Sequence, residues 1–194
     1  TFYADLMAPH GYGRKTFIYE TDDAGQIVVH RVNGQFPDSR YVENAFGTVE
    51  AELEGQFSIR DNVYLVAVDV SHGLIDDVCG RGGSRGANGG IALVSAVGDC
   101  FDVDATYTFT VVAHELGHAF GLQHDFNNDG YIMSYGSNPH RLSACHADFL
   151  AANRFFNPEA SLVSEGRTRI EIVSSLTYPS GAPTVVIRAE LDDP

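Results

Sequence analysis

The stretch His114–Asp125 holds residue types and spacings that suit metal-dependent chemistry, reading H-E-x-x-H-x-x-G-x-x-H-D. His114 and His118 are four residues apart, so on a helix both side chains lie on one face, one turn apart. Two imidazoles placed in this way can bind one metal ion at about 2.0–2.1 Å. Glu115 lies beside them, where a general base belongs.

The third histidine, His124, sets a condition on the path of the chain. In an unbroken helix it would lie about 15 Å along the axis from His114, too far to bind the same ion. The helix must therefore end between His118 and His124. Gly121 is the residue that can end it, because glycine adopts the left-handed conformation without a Cβ penalty. We predict that the chain turns back there and brings His124 to the metal.

The helix that carries the first two histidines also has an apolar face. Five apolar residues at helical spacing lie roughly opposite the histidines. They are Phe109, Val112, Ala113, Leu116 and Phe120. This pattern predicts that one face packs into a core and the other lines a cleft.

These residues resemble the zinc signature of the metzincin metalloproteases. That clan has a methionine-containing turn after the third histidine, and Tyr131–Gly136 (Y-I-M-S-Y-G, with Met133) stands at a suitable distance. Asp125 directly after the third histidine is the adamalysin pattern, in which the carboxylate supports the methionine turn. Tyr135 is more similar to astacins and serralysins, where this tyrosine can approach zinc as a weak ligand. A tyrosine packed under the site is the alternative.

The resemblance implies a zinc-dependent endopeptidase that hydrolyses peptide bonds with an activated water. His114, His118 and His124 would bind zinc, and Glu115 would be the general base and acid. Two other classes stay open: a catalytically inactive zinc-containing binding module, and a zinc hydrolase of non-peptide substrates. A thermolysin-like enzyme is disfavoured, because its third ligand would be a glutamate.

The remaining elements predict an α/β (α+β) fold. In chain order they are strands at Lys15–Glu20 and Gln26–Val32 around a turn at Asp22–Gly25, a long helix opened by Pro37 and Asp38, a buried strand at Val63–Val70, a glycine-rich loop at 71–88, a strand at Gly90–Ala96 and a helix after Ser143. This order matches metzincin catalytic domains, which have a twisted mixed sheet with an antiparallel edge strand, a long backing helix, a zinc-site helix and a C-terminal helix.

The resemblance also implies how a substrate would bind. In metzincins the strand before the zinc helix is an antiparallel edge strand, to which a protein or peptide substrate adds in extended form, a general way to hold a peptide. By resemblance this role falls to the strand at Gly90–Ala96, and an ordinary internal strand is the alternative. The residues assigned to substrate binding are Gly90, Ile91, Ala92, Leu93 and Val94.

The sequence predicts a catalytic domain at 1–157 and a C-terminal β tail at 158–194. In the tail, Arg169–Val173 and Thr184–Ala189 alternate like two strands. The tail resembles the start of a truncated immunoglobulin-like module, and a hairpin packed on the catalytic domain is the alternative.

The three cysteines are Cys79, Cys100 and Cys145. Ser143 and Cys145 form an S-x-C that resembles the segment before the closing helix of adamalysin-type domains, where this cysteine pairs with one upstream. The resemblance therefore implies a Cys79–Cys145 disulfide, while a Cys79–Cys100 pair and three buried thiols are alternatives. A disulfide would indicate a secreted protein.

Calcium is a second candidate cofactor with weak support. The loop Asp125–Gly130 (D-F-N-N-D-G) resembles the start of a calcium loop, but its twelfth position is Gly136 where an EF-hand has glutamate. Asp99, Asp102 and Asp104 could also bind calcium, although helix capping or solvation is the stronger interpretation.

The charge of the chain excludes several partners. A net charge of −14 disfavours contact with nucleic acid or anionic membranes. No apolar run reaches the ~18 residues that a membrane span needs. Because the sequence begins at Thr1, we expect any leader or pro-segment to lie outside it. We expect a secreted monomer.

Overall fold

The structure, a computed structural model, describes residues 2–70, 78–86, 88–97, 100, 106–125, 128–134, 140–158, 169–174 and 188–192. The chain divides into two compact units, Thr1–Glu159 and Ala160–Pro194. The identities that the sequence suggested for them, a catalytic domain and an immunoglobulin-like tail, stay predictions.

The first unit contains a three-stranded mixed sheet in the order β1-β3-β2. Strand β1 (Val63–Val68) runs parallel to β3 (Gly90–Ser95), and β2 (Gly80–Ser84) runs antiparallel to β3. The strand predicted at Val63–Val70 is thus confirmed over most of its length. It is only partly buried, with Leu65 48% exposed, because it lies at the edge of the described sheet rather than inside it.

The assignment of the antiparallel edge strand to Gly90–Ala96 is wrong. β3 pairs on both sides and is buried along its whole length, so Gly90, Ile91, Ala92, Leu93 and Val94 have no free edge to offer a substrate. The antiparallel strand at the edge of the described sheet is β2. Its sequence, Gly-Arg-Gly-Gly-Ser, predicted a loop because glycine is depleted in strands.

Helix α2 (Asp38–Glu54) is the long helix that the sequence predicted. Its buried face shares a core with Ile91 and Leu93 of β3. The buried apolar residues of the helix are Tyr41, Ala45, Val49 and Leu53. Their four-residue spacing is the pattern from which the helix was predicted, so this side of the sheet follows directly from the sequence.

A second core joins three further helices of the first unit. They are α1 (Phe2–Met7), α3 (Thr106–Ala119) and α4 (Ala144–Ala152). A short 3-10 helix (Ala8–His10) follows α1 and has no buried residue. Tyr3 of α1 is buried in this core, and its hydroxyl donates to the Ala113 carbonyl of α3 at 2.6 Å. The prediction of a helix after Ser143 is confirmed, and Ser143 caps it by accepting from the His146 N–H. Helix α1 was not predicted from the sequence.

The two strands predicted at Lys15–Glu20 and Gln26–Val32 are wrong. Among the described residues, the two segments are paired only by one isolated antiparallel bridge, between Thr21 and Ile27. The turn predicted between them is confirmed, because Asp22 Oδ1 accepts the N–H groups of the second and fourth residues that follow it, at 2.9 and 2.8 Å. The segment alternates like a strand, but within the described residues it pairs with no other strand.

The second unit contains one antiparallel pair, β4 (Arg169–Ile172) with β5 (Ala189–Asp192). The strand predicted at Arg169–Val173 is confirmed. β5 begins where the predicted strand Thr184–Ala189 ended, and residues 184–187 lie outside the described ones. Within the described parts of the chain, the helices are all too short or too polar to cross a membrane.

Candidate active site

Helix α3 ends at Ala119, between His118 and His124, as the sequence predicted. Gly121 has a φ of 103°, and its N–H donates to the His118 carbonyl at 3.0 Å. The next N–H, from Leu122, donates to the Gly117 carbonyl at 2.9 Å. These two bonds form a Schellman cap with glycine in the left-handed position. The reversal brings His124 back beside the helix.

The three histidines converge on one point. The Nε2 atoms lie 3.1 Å apart for His114 and His118, 3.2 Å for His114 and His124, and 3.0 Å for His118 and His124. Ligand atoms around a tetrahedral zinc ion with bonds of about 2.0–2.1 Å lie roughly 3.3 Å apart. Among the described residues, this is the one group of histidine, cysteine and carboxylate side chains that could hold a metal. The geometry fits zinc with an open fourth position.

Backbone carbonyls orient two of the imidazoles. His114 Nδ1 lies 2.6 Å from the Ile132 carbonyl oxygen, and His118 Nδ1 lies 2.9 Å from that of Leu122. A carbonyl only accepts, so each Nδ1 carries the proton and each Nε2 keeps its lone pair for a metal. Burial lowers the pKa of His114 to about 4 and also lowers the pKa of His118. Both rings are therefore neutral at pH 7, as metal binding requires.

Glu115 lies between α3 and the glycine-rich strand β2. Its side chain is buried, and that burial raises its pKa from 4.5 to about 7. The Gly82 backbone N–H donates to the carboxylate, and the positive charge of Arg81 attracts it. Both effects lower the pKa of Glu115, but the effect of burial is larger. A carboxyl group with a pKa near the working pH can both accept and return a proton, which a general base and acid must do.

The raised pKa predicts how Glu115 affects stability in the metal-free protein. The folded state holds this proton more tightly than the unfolded state, so the resulting stability is complete below about pH 4.5 and is lost as the pH rises through about 7. Glutamine does not titrate. The free energy of unfolding of the parent, relative to Glu115→Gln, should therefore fall across this window and be constant above it. Urea titrations of chelator-treated protein below, within and above the window measure this, and a rising difference would contradict it.

Met133 packs against helix α3 at Gly117. Its side chain is fully buried and contacts Gly117, where an added Cβ would meet the methionine sulfur and lie 3.1 Å from its Cε. The Met133 carbonyl accepts the N–H of Asp125 at 3.1 Å. The methionine segment is thus tied to the loop that carries His124. Tyr135, the candidate further zinc ligand, lies outside the described residues.

The disulfide implied by the resemblance, Cys79–Cys145, is wrong, and the alternative pair is present. Cys79 and Cys100 form a disulfide, with their Cα atoms 5.2 Å apart, and Cys145 is free and exposed. The sheet explains this pairing: Cys79 directly precedes β2, and its carbonyl accepts the N–H of Ser95 at the end of β3, at 3.0 Å. The antiparallel pairing of β2 and β3 therefore brings the two cysteines to the same end of the sheet.

The calcium expectation receives no support. In the described part of the Asp125–Gly130 loop, the Asn128 side-chain oxygen accepts the Gly130 N–H at 3.0 Å, which closes an ordinary turn. Asp99, Asp102 and Asp104 lie outside the described residues.

Two residues next to the site were missed at the sequence level. Gly82 donates to the Glu115 carboxylate, and a Gly-x-Gly within a strand could have signalled a close backbone approach. His146 of α4 lies 3.3 Å from the carboxylate of Asp125 and had no sequence signal, because it stands outside the histidine motif.

The fold and the histidine cluster together fit a zinc metallopeptidase domain. A family model of the reprolysin type, described as Metallo-peptidase family M12, matches residues 35–150, and the chain belongs to this family. This confirms the resemblance to the metzincin metalloproteases. No curated protein matches the chain by sequence.

Several solved structures share the fold. Catalytically inactive OgpA from Akkermansia muciniphila, in complex with an O-glycopeptide substrate (glycodrosocin), matches with a TM-score of 0.56 and 20% identity. Wild-type OgpA in two crystal forms matches with TM-scores of 0.53 and 0.57, at 19% and 20% identity. Each match covers 88% of this chain and 57% of OgpA, so the chain spans little more than half the length of these proteins. The likeness confirms the predicted metzincin-like α+β fold.

Proposed function

We propose that this chain is a zinc-dependent endopeptidase. The observation that carries the proposal is the convergence of three histidine Nε2 atoms to within 3.0–3.2 Å of one another, beside a buried glutamate on the same helix. His114, His118 and His124 would hold the ion. Glu115 is too buried to be a solvated surface carboxylate, and its raised pKa suits proton transfer.

The chemistry divides between the ion and the chain. Zinc, when bound, supplies a Lewis acid that polarises a carbonyl and lowers the pKa of a water. Glu115 takes the proton from the attacking water and returns it to the leaving amine. The Gly82 N–H holds the carboxylate in place for this transfer. The backbone acceptors of His114 and His118 keep their rings in one tautomer throughout.

We infer that the substrate is a protein or peptide bound in extended form along β2. This strand packs against α3 beside Glu115, and its outer edge is the antiparallel edge of the described sheet. Backbone pairing at such an edge holds a peptide without reading its sequence. The Cys79–Cys100 disulfide supports a secreted location, because disulfides persist in oxidising compartments.

Cleavage of defined peptides by the purified protein tests the proposal. We expect mass-spectrometric mapping of a peptide library to show internal cuts that a zinc chelator abolishes and added zinc restores. Matched peptides with and without an O-glycan belong in the library, because OgpA was solved with an O-glycopeptide substrate. Zinc binding without any cleavage would favour the inactive binding module. Turnover of ester or amide substrates alone would favour the non-peptide hydrolase.

A further inference from the structure

The carboxylate of Asp125 is buried directly behind the third histidine of the zinc site. Its side chain is 8% exposed, and within the described residues no group makes an aligned hydrogen bond to either of its oxygens. A buried carboxylate costs several kcal/mol in lost hydration unless a partner compensates it. The group within ion-pair distance is the imidazole of His146, whose Nδ1 lies 3.3 Å from Asp125 Oδ2.

His146 lies in the capped first turn of α4. Its side chain is 13% exposed, and it is the third residue of α4. Its backbone N–H donates to the Ser143 hydroxyl at 3.3 Å, so the capping residue fixes the turn that carries the imidazole. The first turn of a helix also has a positive potential, which favours the nearby carboxylate. A neutral imidazole with its proton on Nδ1 can donate to Asp125, so this contact does not require a charged ring.

Asp125 connects this contact to the zinc ligands through the backbone. It directly follows His124, and its own N–H donates to the Met133 carbonyl at 3.1 Å. The residue before Met133, Ile132, accepts from His114 Nδ1 at 2.6 Å. The chain segment that Asp125 anchors therefore helps to position two of the three ligands, His124 and His114. Groups that orient ligands in this way typically alter metal affinity by about 10–100-fold when they are removed.

We propose that His146 is a positioning residue for the zinc site: its imidazole fixes the carboxylate of Asp125 and, through it, the loop that presents His124. The proposal rests on the zinc site of the proposed function but not on peptide cleavage. It assigns a role to a side chain of α4 that lies outside the histidine motif.

Zinc affinity in three His146 variants tests this role. His146→Asn keeps an N–H donor near the position of Nδ1, whereas His146→Gln places its amide nearer to Nε2 and His146→Ala has no donor. We expect His146→Ala and His146→Gln to weaken zinc binding about 10–100-fold in competition with a chromophoric chelator, and His146→Asn to stay within about threefold of the parent. The absorption spectrum of the cobalt-substituted protein should change in the same order.

Two controls separate positioning from general loss of stability. Tyr12→Phe removes a 2.6 Å hydrogen bond to Asp148 on α4, at an exposed place, and should leave zinc affinity unchanged. Thermal unfolding of the metal-free variants shows whether stability alone explains a loss. Parent-like affinity in His146→Ala, or equal losses in His146→Asn and His146→Gln, would overturn the proposal. A parent protein that binds no zinc would instead refute the proposed function, and one that binds zinc without cleaving peptides leaves this test intact.

Discussion

Glu115→Gln is expected to lower kcat for peptide hydrolysis about 10²–10⁴-fold, the usual contribution of general acid–base catalysis. Glutamine has nearly the same size, and its carbonyl oxygen can still accept the N–H of Gly82. It cannot take a proton from water. The substitution therefore removes proton transfer and leaves the packing between α3 and β2 in place.

Zinc affinity and KM should change little in this variant. The three Nε2 atoms of the metal site come from histidines, so Glu115 is not needed to hold the ion. A group that acts only in the transition state lowers kcat and kcat/KM together. Steady-state kinetics on one mapped peptide, with zinc content measured on the same sample, distinguish this pattern from metal loss.

Glu54→Gln is the matched control for that experiment. Glu54 lies on α2 and forms an exposed ion pair with Arg60 at 2.9 Å, so its removal tests the loss of one negative charge without touching the site. We expect parent-like activity from it. Hydrolysis by Glu115→Gln within a few-fold of the parent rate would remove Glu115 from the mechanism and favour a different general base.

The convergence of the three histidines was predictable because its requirements are local. Two histidines one turn apart define a helix face, and a third can join them only if the helix ends, which left Gly121 as the residue to end it. The φ of 103° at Gly121 and the close approach of the Nε2 atoms follow from those few positions. The long helix α2 was predictable for the same reason, because its buried apolar residues recur every four positions within one continuous segment.

The features that sequence reasoning missed depend on tertiary neighbours. β2 forms because a glycine-rich segment can lie directly against a helix, and composition alone suggested a loop. The disulfide pairing follows from the register of β2 against β3. The number and spacing of the cysteines in the sequence do not reveal that register. The contact between Asp125 and His146 joins a loop to a helix, and no spacing rule relates the two positions.

Gly82→Ala is expected to disrupt both stability and activity, because Gly82 lies directly against the backbone of α3. A Cβ at Gly82 would lie 2.9 Å from His118 Cβ and 2.9 Å from the Glu115 carbonyl carbon, and closer still to the carbonyl oxygen. These are mostly backbone atoms of a packed helix, so they cannot rotate away. Overpacking of this kind costs about 1–3 kcal/mol or more. Relief requires β2 to move, and that movement takes the Gly82 N–H away from the Glu115 carboxylate.

Gly83→Ala, one residue along the same strand, is the matched control. A Cβ there would lie 3.3 Å from Arg85 Nη1 and 3.4 Å from a ring carbon of Phe46, so its nearest neighbours are side-chain atoms and none is as close as those at Gly82. We expect it to change the free energy of unfolding by less than about 1 kcal/mol. Both variants lose the conformational freedom of glycine in a strand, so the difference between them isolates the contact with α3.

The decisive comparison is between stability and kcat/KM in these two variants. If β2 positions the general base, Gly82→Ala should lower kcat/KM at a temperature where the variant is still folded, while Gly83→Ala keeps the parent value. Urea unfolding and kinetics at one pH supply both quantities. Parent-like stability and kcat/KM in both variants would show that the strand tolerates a side chain on either face, and β2 could then not lie against α3 at Glu115. Equal losses in both variants would show that the contact with α3 does not distinguish Gly82 from Gly83. Full activity in a destabilised Gly82→Ala protein would separate the packing role of Gly82 from any role in holding the carboxylate.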